Sequence, residues 1–202
     1  MKLGLVNPID NSTYIMLSNR DAIYHIDALN VSLEVLGLSD FVDSKVFSIA
    51  EQKITGVKIF RRSPNSGKLR LEFQKKDAAW RNNRAEKLQE SKVSQFLKRL
   101  TDIKSQFILD QISGELEDAL SYAMNSPAYT VILQRKDKEP VEYHVSGLIS
   151  KNLPDLNVQK GQIFLVKSSS FEHPYIVSKD SYKIFGTRQK RFERLPFKKL
   201  FY

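Results

Sequence analysis

Two stretches at opposite ends of this chain carry similar apolar signatures, and a repeated strand unit is the strongest constraint on what it can fold into. The first comprises Leu3-Gly4-Leu5-Val6, Thr13-Tyr14-Ile15-Met16-Leu17, Ala22-Ile23-Tyr24-His25-Ile26-Asp27 and Lys45-Val46-Phe47. Its echo comprises Ser146-Gly147-Leu148-Ile149, Gln162-Ile163-Phe164-Leu165-Val166, Pro174-Tyr175-Ile176-Val177-Ser178 and Lys199-Leu200-Phe201. No reactive side chain recurs at matching places, which describes a scaffold better than an enzyme.

Between these ends lies the clearest hairpin. Val57 and Ile59 alternate with Lys58 and Phe60, and Leu69, Leu71 and Phe73 alternate with Arg70, Glu72 and Gln74. The period of two predicts strands over 54–61 and 68–74, joined by the turn residues Ser63-Pro64-Asn65-Ser66-Gly67. One face of that hairpin is apolar and needs cover. Val93, Phe96, Leu97, Leu100, Ile103 and Phe107 follow helical spacing, so a helix over 90–109 is expected to supply it, with Trp80 between the two. A shorter helix is expected over 115–124, its acidic start formed by Glu115, Glu117 and Asp118 and its end by Asn125-Ser126-Pro127. Strands resume over 129–133, 141–145, 162–167 and 175–177, with a helical turn over 180–185. A short helix is also expected after Asp27.

These elements predict an α+β fold: antiparallel, meander-like sheets covered by one long and one short helix, with a partial internal repeat. Residues 1–50 read as an incomplete unit, 51–185 as the main domain and 186–202 as a basic, aromatic C-terminal segment.

The residue types present exclude several chemistries. There is no cysteine, so disulfides, thiolate catalysis and cysteine-based metal centres are ruled out. His25, His144 and His173 are scattered, with no ligand spacing among them, and Asp40 with Asp43 lacks the pattern of a calcium loop. The glycines are isolated, and no nucleophile-elbow motif occurs. No catalytic, cofactor-binding or metal-binding residue is assigned, and no cofactor is expected. No apolar run reaches the ~18 residues of a membrane span, and the opening residues do not read as a signal peptide, so the stretch as given is expected to be soluble.

The net charge is +9, from 32 basic and 23 acidic residues, a modest excess that an ordinary solvated surface explains. Its densest cluster is at the C-terminus. Arg188, Lys190, Arg191, Arg194, Lys198 and Lys199 are interleaved with Phe192, Phe197, Phe201 and Tyr202. This is a candidate anion-binding segment for nucleic acid or anionic lipid. The simpler reading is that Phe192, Leu195, Phe197 and Leu200 anchor the segment in the core while the charges face water. A second basic group, Lys75, Lys76, Arg81, Arg84 and Lys87, could extend the patch.

The order of hairpin, Trp80, the Val93-Phe96-Leu97-Leu100 helix, Ser126-Pro127 and the Tyr129-Thr130-Val131-Ile132-Leu133 strand resembles a bacterial domain-of-unknown-function family, number four-three-four-zero, over residues 54–178. Members of that family are often membrane-anchored extracytoplasmic proteins encoded beside permeases of ABC transporters, including the gliding-motility type. The resemblance implies a non-enzymatic scaffold or interaction module, an accessory part of an ABC transport system whose partner is a protein such as the permease. It also implies an extracytoplasmic, membrane-associated location. The family's N-terminal membrane helix is missing from this stretch, and Asn125-Ser126-Pro127 stands where a glycine-containing turn is usual. The alternative is binding of nucleic acid or an anionic membrane through the basic segment.

Overall fold

The computed structural model describes residues 2–3, 12–16, 23–27, 42–62, 65, 67–108, 121, 124–153 and 158–193. The chain divides into two compact units, Met1–Asp40 and Phe41–Tyr202. In the first, strands β1 (Lys2–Leu3), β2 (Ser12–Met16) and β3 (Ile23–Asp27) form an antiparallel sheet in that order. The expected helix after Asp27 lies outside the described residues.

The second unit is built on one antiparallel sheet of eight strands. They are β4 (Ile54–Arg61), β5 (Lys68–Lys76), β6 (Ala79–Asn82), β7 (Phe107–Ile108), β8 (Tyr129–Arg135), β9 (Lys138–Val145), β10 (Ile163–Ser168) and β11 (Tyr175–Ser178). Their spatial order is β6-β5-β4-β8-β9-β10-β11-β7. The β4–β5 hairpin pairs Val57 with Phe73 and Ile59 with Leu71, and all four are buried. This is the apolar face that the alternation predicts. Asp77 (φ 49°) and Ala78 (φ 61°) make the turn from β5 to β6 with both central residues left-handed, the geometry that matches the twist of a two-residue hairpin.

The expected helical cover is corrected by the structure. Among the described residues there is one α-helix longer than a turn, α1 (Glu90–Thr101), and it ends well short of residue 109. Twelve residues rising ~1.5 Å each make it ~18 Å long, a short element beside an eight-stranded sheet, and its buried side packs at the β6 end, where Phe96 meets Phe73. Thr101 Oγ1 donates back to the carbonyl oxygens of Leu97 (3.1 Å) and Lys98 (3.2 Å), satisfying the helix end. Beyond it the backbone is captured by other chain segments. The Val46 amide donates to Ile103 O (3.1 Å), the Ser105 amide to Ser44 O (2.7 Å) and the Gln106 amide to Ile176 O (2.8 Å). Phe107, assigned by its spacing to the helix's buried face, instead lies in β7 beside β11 and is 45% exposed. Most of the expected short helix over 115–124 lies outside the described residues.

The expected repeat also reduces to less than an architectural unit. The first stretch supplies β2 and β3 of a three-stranded sheet, whereas its echo supplies β10 and β11 inside an eight-stranded one. What they share is an antiparallel strand pair, which any two alternating segments can make.

The core has three parts. Phe73 meets Trp80 (5.3 Å between ring centroids), Phe96 (5.9 Å) and Phe192 (5.5 Å), joining β5, β6, α1 and the C-terminal segment. Phe47 meets Tyr143 (4.5 Å) and Phe185 (6.2 Å), the latter from a 3-10 turn, Lys179–Gly186. On the other face of β10, Ile163 and Leu165 join Ile176, Ile149 and Leu153. β10 is therefore buried on both faces, which explains its unbroken apolar run Ile163-Phe164-Leu165-Val166.

Candidate functional site: a basic notch at the β5 edge

β6 pairs with β5 only from Phe73 to Lys76. It stops at Asn82, whose side-chain oxygen accepts from the amides of Arg84 (3.0 Å) and Glu86 (2.9 Å). Asn82 Nδ2 donates to Glu86 Oε2 (2.7 Å), and the chain folds back so that the Leu88 amide reaches Trp80 O (2.8 Å). This return covers the outer edge of β6. Along Lys68–Glu72 the outer edge of β5 is left, among the described residues, without a strand partner.

The C-terminal segment crosses that edge instead. Phe192, 1% exposed, plugs into the core against Phe73 and Phe96, and its carbonyl accepts from the Gln89 amide (3.0 Å). Gln89 Nε2 donates to Glu193 O (2.9 Å). So anchored, the segment sets Gln189 Oε1 to accept from the Glu72 amide (3.0 Å) and Gly186 O to accept from Arg70 Nη2 (3.2 Å). Between segment and edge lies a recess of about 300 Å³ lined by Arg70, Glu72, Arg84, Gln189, Lys190 and Glu193 among others.

The notch carries an excess of positive charge. Beneath it, Arg70 Nε and Gln189 Nε2 are fully buried donors with no acceptor among the described residues, a condition that costs ~1–3 kcal/mol per group. Glu72 is neutralised by Lys58, its Oε1 lying 3.0 Å from Nζ. Arg84 and Lys190 are exposed and make no ion pair among the described residues. A second recess of about 340 Å³, lined by Lys76, Arg81, Glu72, Gln74 and Asn83 among others, adjoins the first and shares Glu72, Asn82 and Asn83 with it.

Of the six basic residues singled out in the C-terminal segment, Arg188, Lys190 and Arg191 are described, and all are exposed; Arg194, Lys198 and Lys199 lie outside the described residues. Lys190 lines the notch, whereas Arg188 and Arg191 do not. The second basic group and the C-terminal one meet where Arg84 and Lys190 line the same recess. Arg70 and Gln189 carried no signal beyond an outward strand position and an uncharged polar side chain.

His25 lies in β3 and His144 in β9, in different sheets. His144 Nε2 is 2.6 Å from Glu142 Oε1 on an exposed part of β9. His173 sits beside Phe171, 5.6 Å between rings. Asp43 accepts from the Lys45 amide (3.0 Å), while Asp40, Glu115, Glu117 and Asp118 lie outside the described residues. Among the described residues no group of three or more histidine or acidic side chains could hold a metal, and no helix is long and apolar enough to cross a membrane.

A family model described as Domain of unknown function (DUF4340) matches residues 1–127. The chain belongs to the DUF4340 family. The match takes in the first three strands, which the sequence resemblance over 54–178 leaves out, and it stops before β8. The DUF4340 match therefore includes Arg70, Glu72 and Arg84 of the notch, while Gln189, Lys190 and Glu193 lie beyond it. No curated protein and no solved structure matches this DUF4340 chain.

Proposed function

We propose that this DUF4340 protein is a non-enzymatic interaction module whose notch at the β5 edge receives an extended, acidic segment of a protein partner. The observation that carries this reading is the run of β5 from Lys68 to Leu71, short of the Glu72 amide that Gln189 holds, which has no strand along its outer edge among the described residues and has Arg70, Arg84 and Lys190 around it. A strand added to a free edge gains main-chain hydrogen bonds, and its side chains meet whatever lines the edge. Here Arg70, Arg84 and Lys190 stand against Glu193 and a Glu72 already paired with Lys58, so the lining is net positive and carboxylates suit it. The resemblance to accessory proteins of ABC transport systems supports a permease of such a system as the partner, with the module on the outer side of the membrane.

The test uses a fluorescent peptide of alternating Glu and Val, titrated against the full chain at low salt. Binding is expected, weakening with added salt and falling at least tenfold in Arg84→Glu/Lys190→Glu. Equal binding of a Lys/Val peptide, or unchanged affinity in the charge-reversed variant, overturns the reading. Binding of DNA or of phosphatidylserine vesicles in preference to the peptide, abolished in Arg188→Gln/Arg191→Gln, would instead favour recognition of nucleic acid or anionic membrane through the C-terminal segment, whose Arg188, Lys190 and Arg191 stand exposed around one 3-10 turn.

A further inference from the structure

A different recess, at the far end of β4, has the lining of a small-molecule site. Its volume is about 610 Å³, within the ~300–1,000 Å³ range of such sites. The side chains that matter are Arg61, Arg62, Asn125, Ser126, Tyr129 and Tyr182. Among the described residues the lining contains two guanidinium groups and no carboxylate.

Local backbone geometry brings the two arginines together. Neighbouring residues of a strand point to opposite faces, so Arg61 and Arg62 would part if β4 simply continued. Arg62 instead takes φ 69°, a left-handed conformation disfavoured for a residue with a side chain, and its amide donates to Ala128 O (2.9 Å). Alternation breaks there, and both arginines line the same recess while remaining exposed.

The aromatic part of the lining is Tyr129, the cross-strand partner of Arg61, together with Tyr182, and both are held by neighbouring rings. Tyr129 and Tyr182 meet edge to face at 5.8 Å. Tyr182 rests on Phe164 (5.1 Å), and both tyrosines contact Phe185 (6.0 Å from Tyr129, 6.2 Å from Tyr182). Burial pushes the Tyr182 hydroxyl above its ordinary range, the Tyr129 hydroxyl adds to this, and the Arg61 guanidinium pulls the other way. Tyr182 therefore stays a neutral hydroxyl, able to donate, beside Arg61.

The geometry points to a binding site for a small phosphate monoester carried on a planar ring. A phosphate monoester holds close to two negative charges at neutral pH, matching two guanidinium groups, and its oxygens accept from their forked N–H donors. Asn125, Ser126 and the tyrosine hydroxyls add uncharged donors, and the tyrosine rings offer a surface for the planar body. A monocarboxylate would leave one arginine without a counter-charge.

Isothermal titration of the full chain with adenosine 5′-monophosphate, adenosine and inorganic phosphate tests the assignment. The monophosphate is expected to bind at least tenfold more tightly than either fragment. Arg61→Gln and Arg62→Gly should each weaken it at least tenfold, and the glycine variant also relieves the left-handed backbone, so its fold is retained. Absence of monophosphate binding overturns the assignment, as does affinity unchanged in Arg61→Gln/Arg62→Gly. Loss of binding in Lys190→Gln alone would place the phosphate in the β5 notch and overturn it equally. Because Arg61 and Arg62 lie outside the notch, failure here is distinct from failure of the peptide test.

Discussion

The backbone amide of Glu72 donates to the side-chain oxygen of Gln189 at 3.0 Å, across 117 positions of sequence. One uncharged side chain thus takes the place that a neighbouring strand's carbonyl would fill on the edge of β5. Gln189→Ala should leave that amide facing solvent. Loss of the bond costs about 1 kcal/mol, but the same change removes the buried, unpartnered Nε2, so the Tm should move by less than about 2 °C. Hydrogen exchange at Glu72 should accelerate while exchange at Phe73, held between β4 and β6, stays slow; equal acceleration at both would mean general loosening rather than loss of this bond.

The turn between β5 and β6 holds an alanine at φ 61°. Left-handed backbone costs a residue with a Cβ roughly 1–2 kcal/mol relative to glycine, while glycine returns part of that gain through its greater freedom in the unfolded chain. Ala78→Gly should therefore stabilise the protein by about 1 kcal/mol, seen as a higher urea midpoint at unchanged slope. A lower midpoint would show that the methyl group of Ala78 contributes packing that outweighs the strain.

Alkaline pH should destabilise the second unit through its buried tyrosines. Burial raises the pKa of Tyr143, with the hydroxyls of Ser48 and Ser168 pulling the other way, and it raises Tyr175 and Tyr182 as well. The folded protein then keeps protons that the unfolded chain gives up near pH 10. The stabilisation is complete below that value and is lost as pH rises through the higher folded values. Urea midpoints at pH 8, 9.5 and 11 should fall more steeply for the wild type than for Tyr143→Phe, which has no hydroxyl to ionise at this position. Parallel curves would count against the buried tyrosine as the source.

Alternation made the strands legible before any coordinates. Val57, Ile59, Leu71 and Phe73 read correctly as one buried face because a period of two needs only local residues. Sheet order was not legible in that way, since alternation says which face is oily and nothing about which strand lies beside it. The end of α1 was misread for a related reason. Ile103 is buried as helical spacing predicts, yet the Val46 amide, far away in sequence, holds its carbonyl in an extended segment. In the basic C-terminal segment, the anchoring role of Phe192 was legible from its apolar character. Its contribution to the notch was not, because Gln189 and Arg70 acquire meaning only once an unpaired edge lies between them.

Phe192 seats its ring 5.5 Å from both Phe73 and Phe96. Nearly a hundred residues separate it from Phe96, so a ribosome working at about 5–20 residues per second leaves that pair without its third member for roughly 5–20 s. Through that interval the nascent domain displays greasy rings beside an open ribbon, the kind of surface on which chaperones act, until the last aromatic wedge arrives.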